Sequence, residues 1–133
     1  HTKMIIAVCK EAVRVIVQTS NMVQSDWYGK TQAGWVNDFP RKALASPGHS
    51  EFERDLDDYL SHVGEPVTTL RRLLARYDFS KAGVHLVASV PGSYNNDKYG
   101  HRRLGKLLKT VSPGIPVDDP LVCQFSSLGS LNE

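Results

Sequence analysis

Several features that define common protein classes are scarce in this 133-residue chain. Cys9 and Cys123 are its only cysteines. Two thiols so far apart favour small buried residues in a reducing compartment over a disulfide framework. No apolar run reaches the roughly 18 residues that a membrane span needs. The net charge of +2 is too small to indicate a nucleic-acid partner by itself. The length and the 41% hydrophobic content fit one ordinary globular domain.

Sites that can be recognised by spacing alone are also missing. No cluster of Cys and His has metal-ligand spacing, and no glycine-rich loop of the P-loop kind is present. The chain begins with His1 inside a predicted strand and carries no readable targeting signal. We therefore interpret it as an excised or incomplete piece.

Hydrophobic patterning predicts strands that alternate with helices, which indicates a layered α/β fold. The first predicted strand is apolar on both faces, as is typical of a central buried strand. Ser50 and Glu53 match a capping box at the start of one helix, and Pro66 begins another. The predicted strands are 3–9, 13–19, 84–90 and 121–125, with a possible one at 32–36. The helix capped by Ser50 is predicted at 51–62, and a third helix at 100–111.

The most informative short pattern is His1-Thr2-Lys3. In a strand, residues i and i+2 share a face, so His1 and Lys3 would project together, about 6–7 Å apart. An imidazole can attack phosphorus or move a proton, and an ammonium offsets the charge of phosphate oxygens. The amide of Asn21 could add a neutral donor. Alone, H-x-K often occurs by chance, and a stray terminal His is its bland interpretation.

The neighbouring residues extend this pattern. Segments 13–21, 25–27 and 30–35 follow in an order and spacing that resemble the first catalytic half of the tyrosyl-DNA phosphodiesterases, a branch of the phospholipase D superfamily. The wider superfamily places an Asp a few residues after the Lys, whereas residues 4–9 are apolar here. The resembled branch uses a His, Lys, Asn set instead. Further similar segments lie at 38–40, 52–56, 89–92, 100–101 and 124–131, so the resemblance covers essentially the whole chain.

The resemblance implies a phospholipase D-like fold, in which a mixed sheet lies between helical layers and the unit is built twice in one chain. The seam between the two halves would fall near residues 80–83. Residues 1–82 would then be the later part of the first half, and residues 83–133 the beginning of the second. Both halves would be incomplete in this segment.

The same resemblance implies roles for individual residues. His1 would be the nucleophile that forms a phosphohistidine intermediate, with Lys3 and Asn21 binding the phosphate. For Lys3 the alternative is a solvated strand-end lysine, and for Asn21 a residue in a strand-to-loop turn. Asp26 could orient a basic group or cap the segment that follows it, and we expect the structural role.

Substrate binding is expected in two further places. Gln32 matches a family position near the active site, although a surface Gln is the bland alternative. The loop containing Ser126, Ser127 and Ser130 resembles the one that holds the DNA backbone. Hydroxyl and backbone N–H groups suit phosphate oxygens without selecting a base sequence. The alternative is a flexible Ser/Gly turn.

Charged and aromatic side chains suggest additional surfaces. Helix 100–111 has a basic polar face that could follow nucleic acid, although such faces are usually only solvated. The acidic helix 51–62 should face away from DNA. Trp27 and Trp35 could stack on a base or a tyrosyl ring, but we expect them to be buried packing residues.

The implied mechanism needs a second His-Lys-Asn set, whose His protonates the leaving tyrosine oxygen and later activates water. H-x-K occurs in this chain only at His1, and at His101 the lysine position holds Arg103. We therefore expect the parent protein to be an enzyme and the isolated segment to be inactive.

By resemblance, the parent is a phosphoric diester hydrolase of DNA repair that removes 3′-phosphotyrosyl adducts of topoisomerase I and other 3′ blocks. It would act as an exonuclease-like enzyme on single-stranded 3′ ends, without a cofactor. Its partners would be blocked DNA ends and a topoisomerase I-derived peptide, with no membrane. The parent would be a monomer in the nucleus, or also in mitochondria or another DNA-containing organelle. The alternatives are a non-catalytic DNA-binding module and another nuclease or phospholipase of the superfamily.

Overall fold

The computed structural model describes residues 2–43, 48–112, 114, 116, 118–120 and 122. The chain divides into two compact units, His1–Ser93 and Tyr94–Glu133. The mixed α/β class predicted from the sequence is confirmed. The strands are β1 (Met4–Val8), β2 (Ala12–Gln18) and β3 (Gly34–Pro40), and the helices are α1 (Gln24–Gly29), α2 (Glu51–Ser61), α3 (Thr68–Leu74) and α4 (Gly100–Val111), with a 3₁₀ turn at Glu65–Val67.

The three described strands form one antiparallel sheet in the order β1-β2-β3. Met4 pairs with Val17 in β2, and Val17 also pairs with Trp35 in β3. The central strand of this sheet is therefore β2, and the expectation that the first strand is central is wrong for the described sheet. β1 is apolar on both faces, yet Met4 to Ala7 are only half-buried because no described strand covers the outer edge of β1.

One face of the sheet packs against α2 and the segment after α3. Val13, Val15 and Phe39 point into this core and are almost completely buried. The Phe39 ring lies 4.5 Å from Phe79 and 5.7 Å from Phe52 between centroids. Each fully buried apolar side chain of this size contributes about 1.5–3 kcal/mol by leaving water. This packing holds the sheet rigidly enough to position residues at its ends.

Helix α2 confirms the prediction for residues 51–62 to within one residue. The Ser50 hydroxyl accepts the Glu53 N–H at 3.1 Å, as the capping pattern requires. The Glu53 carboxylate turns away from its own helix start and accepts hydrogen bonds from Lys42 Nζ at 2.7 Å and His49 Nδ1 at 2.8 Å. Glu53 is 6% exposed, so the acidic side chains of α2 are not one solvated face.

Several other expectations fail. Residues 84–90 form no strand, because none of the described strands supplies them with a hydrogen-bonding partner. Cys9 is exposed in the turn between β1 and β2, not buried. In α4, Leu107 is buried as expected, but Leu104, Leu108 and Val111 are 47%, 42% and 54% exposed.

Other parts of the predicted fold stay predictions. Cys123 and nearly all of the predicted strand at 121–125 lie outside the described residues. The seam expected near residues 80–83 stays a prediction, as does the sheet between two helical layers.

Candidate active site

The antiparallel sheet brings three of the predicted site residues to one end. Lys3 precedes β1, Asn21 follows β2, and Gln32 precedes β3. The Gln18 N–H donates to the Lys3 carbonyl at 2.9 Å, and the Thr19 N–H donates to the Ala33 carbonyl at 3.0 Å. Because neighbouring strands run in opposite directions, the start of one strand and the end of the next lie at the same end of the sheet. The topology therefore gathers residues that are far apart in the sequence.

A cleft of about 650 Å³ opens beside this end of the sheet. Lys3 is half-buried in its wall, and Thr2 and Gln18 lie next to it. The Thr2 hydroxyl forms a hydrogen bond with the Tyr59 hydroxyl of α2, which joins the chain before β1 to the helical layer. Residues 86–89 and Pro91 line the opposite side. The lining of the cleft thus includes a half-buried lysine, three hydroxyl side chains and the amide of Gln18.

His1 lies outside the described residues, as do Ser126, Ser127 and Ser130. The nucleophile and the expected DNA-backbone loop therefore stay predictions. Among the predicted catalytic residues, the structure describes Lys3 and Asn21.

Asn21 is exposed, but its amide is held from behind by the buried side chain of Asp26. Asp26 Oδ2 accepts the Asn21 backbone N–H at 2.9 Å and the side-chain Nδ2 at 2.7 Å. Asp26 Oδ1 accepts a hydrogen bond from Lys30 Nζ at 2.6 Å. These donors, with Lys30 the largest influence, lower the pKa of Asp26 from 3.8 to about 2. The carboxylate is therefore ionised at neutral pH.

Gln32 lies at the same end of the sheet and joins three segments. Its Nε2 donates to the Asp26 carbonyl at 3.0 Å, and its Oε1 accepts from the Thr19 hydroxyl at 2.6 Å. The Thr19 hydroxyl oxygen in turn accepts the Ala33 N–H at 2.9 Å. The amide of Gln32 thus braces the loop between β2 and β3, and its role in substrate binding stays a prediction.

The short helix that carries Asp26 and so supports Asn21 was not predicted from the sequence. The six residues Gln24–Gly29 have no helical apolar repeat. The available signal was the spacing of Asp26 and Lys30, which are i and i+4 on one helix face. Asp26 does not cap the short helix, whose N-cap residue is Val23, and instead lies inside it and forms an ion pair with Lys30.

The two tryptophans differ from each other. Trp35 packs against the core, with its ring centroid 5.4 Å from Phe52, as expected. Trp27, which was also expected to be buried, is 51% exposed on the short helix α1. The buried residue of this helix is Asp26, which is hydrogen-bonded to Asn21, and the next residue, Trp27, lies on a more exposed side of the helix.

The basic residues of α4 belong to the second unit. Arg102, Lys106 and Lys109 are exposed, and Arg102 Nε forms an ion pair with Asp97 at 3.2 Å. A solvated face accounts for these features, and a nucleic-acid role stays a prediction.

Within the described ranges, no three His, Cys, Asp or Glu side chains lie close enough together to hold a metal ion. In the same part of the chain, no helix has the length and apolar character required to cross a membrane.

Comparisons with known proteins identify the family of this chain. The family model described as tyrosyl-DNA phosphodiesterase matches residues 1–133. Tyrosyl-DNA phosphodiesterase 1 of Arabidopsis thaliana is 37% identical over 150 residues, covering 100% of this chain and 25% of that protein. The Drosophila melanogaster protein of the same name is 35% identical, with 98% and 25% covered. A probable tyrosyl-DNA phosphodiesterase of Caenorhabditis elegans is 36% identical, with 98% and 31% covered.

The chain spans about a quarter to a third of the length of these curated relatives. The match nevertheless extends over every residue of the chain, including Lys3, Asn21 and Gln32. The chain belongs to the tyrosyl-DNA phosphodiesterase family.

Proposed function

We propose that this chain is part of a DNA repair phosphodiesterase that hydrolyses the bond between a DNA 3′-phosphate and a tyrosine. Family membership supports the class of enzyme. The observation that carries the site assignment is that Lys3 and Asn21 lie at the same end of the sheet, with Lys3 in the wall of an open cleft. An ammonium and an amide donor both suit the non-bridging oxygens of a phosphodiester.

The reaction would have two displacements at phosphorus. A nitrogen of His1 attacks the phosphorus, the bond to the tyrosine oxygen breaks, and a phosphohistidine forms. Water then attacks the same phosphorus, which releases a DNA 3′-phosphate and restores His1. The covalent step replaces one difficult displacement with two easier ones. Lys3 and Asn21 would hold the phosphate oxygens during both steps.

The proton transfers in this two-step reaction require a second group. A second His, outside this segment, would donate a proton to the leaving tyrosine oxygen and then take one from the attacking water. The other histidines of the chain, His49, His62, His85 and His101, lack the lysine two residues later. The isolated segment should therefore lack turnover, and the complete active site belongs to the full-length protein. No cofactor takes part in either step.

DNA binding would extend beyond the phosphate. Gln32, Ser126, Ser127 and Ser130 would contact the DNA strand through hydroxyl and amide groups, which bind phosphates without reading bases. The expected partners are DNA with a blocked 3′ end and the topoisomerase I-derived peptide attached to it. The full-length enzyme would be a monomer that works in the nucleus or in another DNA-containing organelle.

The test is a cleavage assay of the full-length protein in EDTA. The substrate is a single-stranded oligonucleotide with a 3′-phosphotyrosine, and phosphatidylcholine serves as the competing substrate. His1→Ala should abolish cleavage and leave oligonucleotide binding intact. His62→Ala is the matched control, because His62 is exposed at the end of α2 and should be dispensable.

Each result has a clear meaning. Cleavage that disappears only in His1→Ala supports the proposal, as does a phosphohistidine adduct trapped on His1. Unchanged cleavage in His1→Ala overturns it. Binding without any cleavage by the wild-type protein would favour a DNA-binding module, and turnover of phosphatidylcholine alone would favour a phospholipase.

A further inference from the structure

We propose that Asp26 is a positioning residue that orients the amide of Asn21 for phosphate binding without itself touching the substrate. The inference rests on the proposed function, in which Asn21 binds the phosphate. It adds a residue whose effect is transmitted through Asn21.

The first argument is the identity of the bonded atoms. An ionised carboxylate accepts hydrogen bonds and cannot donate them. Asp26 Oδ2 lies 2.7 Å from Asn21 Nδ2, so the amino end of the amide must face Asp26 and the oxygen end must face away. The same oxygen accepts the Asn21 backbone N–H at 2.9 Å, which fixes the main chain as well. The second hydrogen of Nδ2 stays available for a phosphate oxygen.

The second argument is the contrast in exposure. Asn21 and Lys30 are exposed, whereas Asp26 is 4% exposed between them. The exposed side chains bonded to this carboxylate are therefore Asn21 and Lys30, and the carboxylate lies beneath them. A carboxylate facing the cleft directly would repel a phosphodiester, but this one is hydrogen-bonded on both oxygens.

The third argument is the attachment of Asp26 to the sheet. Its carbonyl accepts from Gln32 Nε2 at 3.0 Å, and Gln32 Oε1 accepts from the Thr19 hydroxyl at 2.6 Å. Thr19 also joins Ala33 through its backbone N–H at 3.0 Å. The chain of bonds connects the end of β2, helix α1 and the start of β3. Asp26 therefore links Asn21 to a loop that is fixed by its own hydrogen bonds, and such a link keeps a donor in place during a reaction.

The experiment measures kcat and KM of the full-length enzyme on the phosphotyrosyl oligonucleotide for Asp26→Asn. An Asn at this position can donate as well as accept, so it no longer determines which end of the Asn21 amide faces it. We expect kcat to fall by about 10-fold or more with KM changed by less than about 3-fold, since losing one transition-state donor costs about 10²–10³ in kcat.

A double-mutant comparison separates positioning from general stability. In an Asn21→Ala background, adding Asp26→Asn should change kcat by less than about 2-fold, because the group on which it acts is gone. Losses that multiply would overturn the inference. If Asn21→Ala alone has wild-type kcat, the inference also fails, while cleavage that depends on His1 would still support the proposed function.

Two further variants control for folding. Lys30→Met removes the ion pair but leaves both bonds to Asn21, so kcat should stay within about 2-fold of wild type. A loss as large as that of Asp26→Asn would overturn the inference. Asp38→Asn removes a carboxylate that pairs with Arg14 at 2.7 Å. Asp38 lies four residues along β3 from Gly34, so about 13 Å separates it from the end of the strand that follows Gln32. It should leave kcat unchanged, and an equal loss there would also count against Asp26.

Discussion

Replacement of Phe39 by Ala tests which face of the sheet forms the core. Phe39 is 1% exposed in β3, and its ring centroid lies 4.5 Å from Phe79, 5.7 Å from Phe52 and 6.3 Å from Trp35. The substitution would remove the common neighbour of these three rings. It would leave a cavity at the contact between the sheet and the helical layer.

The expected loss is about 3–5 kcal/mol in the free energy of unfolding, the usual cost of a buried Phe→Ala change. The lost transfer of the ring from water accounts for about 1.5–3 kcal/mol of this, and the cavity and lost aromatic contacts account for the remainder. Since such a domain has only about 5–15 kcal/mol of stability, much of the margin would be removed.

Urea unfolding followed by tryptophan fluorescence measures this loss. Trp35 packs against Phe39 and Phe52 and should report the transition, while Trp27, which is 51% exposed, should contribute little change. The matched control is Val36→Ala in the same strand. Val36 is 55% exposed on the opposite face, so its loss should be below about 1 kcal/mol. Equal losses for the two variants would show that the core face has been assigned incorrectly.

Three further predictions concern charges and a helix cap. The Asp26 carboxylate should stabilise the fold fully above its ordinary pKa of 3.8 and lose this effect as the pH falls towards about 2. The difference in melting temperature between wild type and Asp26→Ala should therefore shrink over that pH range, and a constant difference would contradict it. Ser50→Ala should cost about 1 kcal/mol in urea unfolding by removing the cap of α2, and no change would count against the cap. Lys42→Met should cost about 2 kcal/mol because Glu53 is buried, more than Arg71→Met at a more exposed pair; the reverse order would refute the difference in burial.

Local signals predicted several elements well. Ser50 supplies a cap, and Phe52, Leu56 and Leu60 repeat at helical spacing, so α2 was located to within one residue. The alternation of Val13, Val15 and the intervening polar Arg14 predicted β2 as a strand, although not its central place in the described sheet. These features depend on neighbouring residues alone, which is why sequence patterns detect them.

Other features depend on partners that a pattern cannot identify. Residues 84–90 have a strand-like composition, but a strand also needs a hydrogen-bonding neighbour, and none of the described strands pairs with them. The edge position of β1 has the same origin, because composition indicates burial and not strand order. Helix α1 was missed because its hydrogen bonds to Asn21, rather than an apolar stripe, connect it to the sheet.

The sequence by itself determined the family, the mixed α/β class, and Lys3, Asn21 and Gln32 as candidate site residues. These conclusions follow from residue identity and order along the chain. Only the tertiary structure decided that the three residues lie at one end of an antiparallel sheet and that Asp26 accepts a hydrogen bond from the Asn21 amide. The physical reason is that strand pairing and side-chain hydrogen bonds join residues by distance in space, whereas a sequence records only their separation along the chain.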